Sequence, residues 1–267
     1  MCYSALVKQD LKYLHRRYGA SNIRHQIDDY EHASSEDPKN FPALRERIYP
    51  GHYAPVIFSR EGTRVTELMR YGAYPPAHIH DPKKYTSFNA RRDNLTSRFW
   101  SEAFLQHHGF IVLDGFYEWV TVKDLLNAGV VKLADIEKEF SRQSAERKEK
   151  ILADGRKWKP TPTENKNPVD RQIIIEFKPE DGQDLLAPVI FSYGKDVRGH
   201  ENAGFAIITD DPTPEIERAG HDRCPIILDA KSMDTWLDPS AMNAENFQEF
   251  LMHQRRVTFK HKLARAA

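Results

Sequence analysis

The sequence predicts an α+β fold in a single compact domain. Short runs rich in Val, Ile, Phe and Tyr recur along the chain, as at residues 53–60, 187–193 and 204–210. Helical patterns fall between them irregularly, not after every strand, which argues against a parallel βαβ sheet. At 267 residues the chain is long enough to bury one sizeable core, and its apolar (40%) and charged (29%) fractions are those of an ordinary folded domain. The main domain is expected over 1–240 with an insertion at 123–168; a C-terminal helix and basic tail follow over 241–267.

Leu11, Tyr13, Leu14 and Tyr18 recur at helical spacing, and Gly19 follows as a C-cap. Residues 21–50 are polar and broken by proline, which predicts loop. Tyr53 to Arg60 and Arg64 to Arg70 read as strands, and 71–87 as a Gly/Pro-rich loop. From Asn94 to His108, Leu95, Phe99, Ala103 and Phe104 share one side of a predicted helix closed by Gly109. Two strands, 110–114 and 116–120, are expected on either side of Gly115. The insertion starts a helical stripe at Leu133, Ile136 and Phe140 and then turns polar and Pro-rich, which predicts a charged surface helix and a loop. Strands resume at 171–177, 187–193 and 204–210. A short helix over 213–220 leads to a buried strand at 225–228, and helices are expected at 230–237 and 244–251.

Charge and composition narrow the function classes. Lys+Arg and Asp+Glu both number 39, so net charge gives no argument for a polyanion, and a nucleic-acid site must be a local basic patch. No apolar run approaches the length of a membrane span, and the first residues lack an apolar signal core. A cytoplasmic protein without a membrane partner is expected. The two cysteines, Cys2 and Cys224, suit a reducing compartment.

The candidate chemistry begins at position two. With Met1 removed, Cys2 presents an α-amine of pKa roughly 8 beside a thiol of pKa roughly 8.5. Such an aminothiol condenses with an aldehyde, and its thiol then closes a five-membered thiazolidine; its amine also serves as a base, as in N-terminal nucleophile enzymes. A small buried residue ahead of a first strand is the plainer reading of Cys2. Asn89-Ala90-Arg91 precedes a predicted helix, where Arg91 can hold a phosphate or carboxylate, or else form a surface ion pair. In Phe116-Tyr117-Glu118-Trp119, strand alternation puts Phe116 and Glu118 on one face; a buried Glu118 suits acid/base work, whereas an edge-strand Glu118 faces water. His221 in His221-Asp222-Arg223-Cys224-Pro225 is placed to shuttle protons or to play a structural part. His78-Ile79-His80-Asp81 invites a metal reading, but it lies in a Pro-rich loop and no other Cys/His pair has ligand spacing, so no metal is assigned.

Met1-Cys2, Asn89-Ala90-Arg91, Gly115-Phe116-Tyr117-Glu118-Trp119 and His221-Asp222-Arg223-x-Pro225, in that order, resemble the SOS-response-associated peptidase (SRAP) family. The stretch 204–210 is also similar to the family's strand ahead of the histidine. The resemblance covers about residues 1–240. It implies a twisted, barrel-like, mainly antiparallel sheet with flanking helices, and a DNA-damage response protein that is nucleoid-associated during damage. It implies no metal or organic cofactor; separately, a monomer is expected. Its partner would be single-stranded DNA with an abasic site, cross-linked through Cys2 by lyase-like Schiff-base chemistry that ends in a thiazolidine. A self-processing peptidase activity would expose Cys2. Carried over by motif, Cys2 is the nucleophile, Asn89 orients the N-terminus or sugar, Glu118 is the acid/base and His221 assists imine formation and reversal. Arg91, Arg98 and Arg223 match the DNA- and phosphate-binding positions.

The chain departs from the family pattern in three places. Tyr3-Ser4 stands where Gly-Arg is usual, Asp93 where a glutamate often follows the arginine motif, and Tyr74-Pro75-Pro76 where some members carry paired tryptophans. Two other classes fit parts of the sequence. An N-terminal nucleophile amidohydrolase also begins Met-Cys, although no Asn-Gly pair supplies an oxyanion hole. A non-catalytic DNA-binding module would make Cys2 incidental.

Overall fold

In the computed structural model, residues 4–22, 24–80 and 87–264 are described, and side chains are not described at 22 and 24–26. Cys2, Tyr3 and Asp81 lie outside the described residues.

Five strands close a ring: β4 (Tyr53–Arg60), β5 (Thr63–Tyr71), β7 (His108–Thr121), β9 (Leu185–Lys195) and β10 (Glu201–Asp210). β4 pairs with β5, β5 with β10, β10 with β9, β9 with β7, and β7 back to β4. All these pairs are antiparallel except β5–β10. The β4–β5 hairpin turns on Glu61 (φ 53°) and Gly62 (φ 75°), two successive left-handed residues, as the type I′ turn that matches strand twist requires. Alternate residues of the ring strands are buried in different clusters. Val56, Phe58, Ile111, Leu113, Val189 and Phe205 join one; Ile57, Phe110, Val112, Ile190 and Ala206 join the other, with the residues of the flanking helices. This double burial explains why these strands read as continuous apolar runs.

The helices on the second cluster are α1 (Leu11–Tyr18), α3 (Ser101–Gln106), α7 (Met233–Leu237) and α8 (Ala244–Met252). α1 starts at an Asp10 side chain that accepts from the Lys12 and Tyr13 amides and ends at Gly19 with φ 69°. The helix expected from Asn94 to His108 is shorter: a 3₁₀ turn at Arg92–Asn94, then α3 alone. Strand β7 takes His108 instead. Its ring stacks on Trp236 at 3.9 Å, and its two nitrogens lie 2.8 and 2.6 Å from the Trp236 and Phe104 carbonyls. Tertiary packing here outweighs the local helical pattern.

β7 is one strand of 14 residues, not two strands split at Gly115. A Cβ at Gly115 would sit 2.5 Å from the Phe177 carbonyl oxygen, so glycine is required by close strand approach and not by a turn. The register against β1 (Ser4–Val7) skips a residue here, from Leu6↔Gly115 to Val7↔Leu113, and this bulge bends the long strand. Beyond the bend β7 leaves β9 and pairs with β8 (Gln172–Pro179), which pairs with β12 (Phe259–Leu263). On its other side β1 pairs with β3 (Arg47–Ile48).

Several expectations are corrected. The segment 21–50 holds β2 (Ser21–Asn22), α2 (Arg24–Glu36) and β3, and is not wholly loop. α2 shows no broad apolar stripe because it packs mainly through Tyr30 and Ala33, against Phe41 and Tyr53. The basic C-terminal segment contributes β12 to the sheet. The insertion carries α4 (Val122–Asn127) and α5 (Leu133–Ala153), whose Leu125 and Ile136 are fully buried in the main core, so it is more than a surface helix.

Candidate active site

The C-terminal end of β10 gathers the motifs. β6 (Asn89–Arg91) runs parallel beside it with Arg91 opposite Thr209, and β11 (Cys224–Pro225) runs antiparallel with Pro225 opposite Thr209. Two segments far apart in sequence thereby flank one residue. α6 (Pro214–Arg218) leads into the second of them. Gly220 (φ 84°) donates to the Glu217 carbonyl and His221 to the Ile216 carbonyl, a Schellman-type ending that fixes where His221 leaves the helix.

Glu118 lies on the inward face of β7 with Phe116 and Val120, all essentially without exposure, while Trp119 on the other face is 39% exposed. His221 Nε2 lies 3.1 Å from Glu118 Oε2. On its other side His221 Nδ1 lies 2.9 Å from the Arg223 carbonyl oxygen. The Arg223 amide also donates toward this Nδ1, at 3.3 Å, while Nε2 faces Glu118. A carboxyl sealed from bulk water exchanges its proton through the groups it touches, which is what acid/base work demands.

Asn89 is nearly buried, and its Oδ1 accepts from the Tyr71 hydroxyl at 3.2 Å. Arg91 is exposed and held bidentately by Asp93, with both contacts at 2.8 Å. Asp93 raises the Arg91 pKa, and Arg91 in turn holds the Asp93 carboxyl below its usual value. Arg223 is only 5% exposed. Its Nε and one Nη donate to Thr209 Oγ1 at 3.2 and 2.6 Å, and the same Nη donates to the Thr209 carbonyl at 2.9 Å. Burial, reinforced by the charge of Arg91, pushes its pKa down. The Cys224 thiol is buried too, and burial pushes its pKa up to about 11.

Glu118, His221, Asn89, Arg91 and Arg223 therefore surround the end of β10 and the facing part of β7. Arg98 is exposed on the segment before α3, where its carbonyl oxygen lies 2.9 Å from His78 Nε2. Cys2 lies outside the described residues. Sequence reading missed Thr209, a lone hydroxyl in an apolar strand, and Tyr71, the partner of Asn89. It also missed Arg92, which pairs with Asp210 at 2.7 Å. Among the described residues no group of three or more His, Cys, Asp or Glu is placed to hold a metal ion. No helix among them is long and apolar enough to cross a membrane.

Solved structures share the fold. A protein from Bordetella bronchiseptica matches with TM-score 0.63 at 13% identity, over 99% of this chain and 100% of its own. One from Bacteroides thetaiotaomicron matches with TM-score 0.63 at 14% identity, over 99% and 92%. A phage-related protein from B. bronchiseptica matches with TM-score 0.57 at 14% identity, over 99% and 94%. The comparison with curated proteins finds no match. The family model described as SOS response associated peptidase (SRAP) matches residues 1–262. The chain belongs to the SOS response associated peptidase family, and its function is associated with DNA damage.

Proposed function

We propose that the protein binds single-stranded DNA and bonds covalently to abasic sites through Cys2. The observation that carries this reading is the buried Glu118 held 3.1 Å from His221, with the two arginines of the neighbouring motifs alongside. Ser4 pairs with Tyr117, the residue before Glu118. Cys2 is two residues before Ser4 in the sequence.

The ring-opened sugar offers an aldehyde. The Cys2 α-amine adds to its carbon, and the carbinolamine loses water to give an imine. The thiol then adds across the imine carbon, closing a thiazolidine. In sum, aldehyde and aminothiol give thiazolidine and one water. Glu118 protonates the departing hydroxyl and receives the proton released by the amine, with His221 as the relay. Asn89 orients the N-terminus or the sugar. Arg91, Arg98 and Arg223 supply the phosphate-directed charge that the whole chain, with no net excess, lacks. Arg91 must exchange Asp93 for phosphate; Arg223, largely buried, acts from behind it. The same acid/base pair would serve hydrolysis of the Met1–Cys2 peptide bond.

The test is a denaturing gel with single-stranded DNA carrying one abasic site. The wild-type protein gives a heat-resistant shifted band, and Cys2→Ala gives none. A Cys2→Ala band at the wild-type rate, or ammonia release from glutamine without any DNA adduct, overturns the reading.

A further inference from the structure

A cationic pocket lies away from the motifs, around Arg70. This residue stands near the end of β5, opposite Tyr53 of β4 and Gly204 of β10. Gly204 precedes Thr209 by five residues, which puts Arg70 about 17 Å back along β10 from the candidate active site. Gly72 (φ 133°) makes room for the guanidinium: a Cβ there would lie 2.9 Å from Arg70 Nη1, which donates to the Gly72 carbonyl at 3.2 Å. The pocket beside it, about 350 Å³, lies between the turn that carries Lys39, the start of β4 and the end of the β9–β10 hairpin that carries Lys195. Both rims are held. The Asn40 side chain donates to Asp37 Oδ2 at 2.8 Å and the Phe41 amide to the Asp37 carbonyl at 2.9 Å. Asp196 accepts from the Arg198 and His200 amides at 2.8 and 3.0 Å, which closes the turn after Lys195. Asp196 is the one carboxylate in the lining; its side chain is 4% exposed and is also engaged by Arg198. Among the described residues no ion pair engages Lys39, Arg70 or Lys195. Tyr74, half-buried, forms another wall, its ring packed directly on the backbone of Gly194 and Gly204.

We propose that this pocket binds a small phosphate monoester, a nucleoside 5′-monophosphate. Its phosphate sits on Arg70 between Lys39 and Lys195, and its base lies against Tyr74. The planar guanidinium offers a fork of donors that matches two phosphate oxygens. Three cations against one carboxylate leave the lining two positive charges in excess. A monoester carries about −1.5 to −2 at pH 7, which answers that excess; an internal phosphodiester of a DNA strand carries only one charge. The volume is more than a bare phosphate fills, and an aromatic wall stacks on a base whatever its identity. The site goes beyond the covalent reading above and depends on neither Cys2 nor Glu118.

Isothermal titration calorimetry of the whole protein with deoxyadenosine monophosphate, inorganic phosphate and deoxyadenosine tests this. The monophosphate should bind, inorganic phosphate about tenfold more weakly for want of the stacked base, and deoxyadenosine not measurably. Affinity for the monophosphate should rise as pH passes upward through about 6, where the monoester gains its second charge. Arg70→Gln should weaken binding about tenfold or more. Lys195→Glu, at an exposed position, should weaken it without disturbing the fold, and should keep the wild-type rate of adduct formation with an abasic strand. No binding of the monophosphate at millimolar concentration, unchanged affinity in both variants, or equal affinity for monophosphate and deoxyadenosine overturns the proposal. Inorganic phosphate binding as tightly as the monophosphate overturns the nucleotide assignment. Failure of every abasic strand to form an adduct sinks the covalent reading instead and leaves the calorimetry to decide this one.

Discussion

Replacing Gly220 with alanine should damage both fold and site, by an amount the structure allows to be divided. Gly220 has φ 84°, where a side chain costs about 1–2 kcal/mol. An added Cβ would also lie 2.6 Å from Asp124 Cβ in α4, so the loop or the helix must move, at a further cost of about 1–3 kcal/mol. The sum is about 2–5 kcal/mol, or a fall in Tm of roughly 4–20 °C for a chain of this size. Gly199 is the control: it has φ 81° with nothing within 4 Å of its would-be Cβ, so Gly199→Ala should cost only the backbone part. Urea denaturation of the two variants measures the difference. Because Gly220 immediately precedes His221, Gly220→Ala should also slow adduct formation at least tenfold, while Gly199→Ala keeps the wild-type rate. Equal destabilisation by the two substitutions would refute the packing of α4 against this loop, and an unchanged adduct rate would refute its role in placing His221.

Glu118→Gln keeps the shape of the side chain but removes its titrating group, and should slow adduct formation by about 10²-fold in a quench time course with the melting temperature little changed. Thr209→Val removes an acceptor that two Arg223 donors share and should cost about 2–3 kcal/mol in chemical denaturation; a loss below about 0.5 kcal/mol would mean that the buried guanidinium does not depend on it. Glu176 supplies a pH dependence. Burial alone would raise its pKa, but Lys262 and the Tyr117 hydroxyl hold it below the ordinary 4.5. A folded-state pKa below the unfolded one gives stability that is present above about pH 4.5 and lost as pH falls through the folded value. Glu176→Gln should therefore flatten the acid limb of a stability–pH curve, and a parallel limb in the variant would count against the assignment.

Much of this architecture was legible in the sequence because it is decided by local periodicity. Alternation in 116–120 was enough to put Phe116 and Glu118 on one face; only the burial of Phe116, Glu118 and Val120 shows that this face points inward. The apolar runs at 53–60, 187–193 and 204–210 announced strands, and Gly19 announced the end of α1. The motifs around Asn89, Glu118 and His221 were likewise visible as strings of residue types. Tertiary structure alone decided their meeting: β6 and β11 pair with the two edges of one strand end, and strand pairing joins segments whose sequence separation leaves no local trace. It also decided that His108 belongs to a strand, since stacking on Trp236 outweighs a helical stripe. It decided that Gly115 serves a close strand approach, since the Phe177 carbonyl that excludes a side chain comes from another part of the chain. Arg223 shows the limit most plainly. Its identity as a cation was evident from the first reading; its burial against Thr209, and so its place behind Arg91, depends on a neighbour that only the folded sheet supplies.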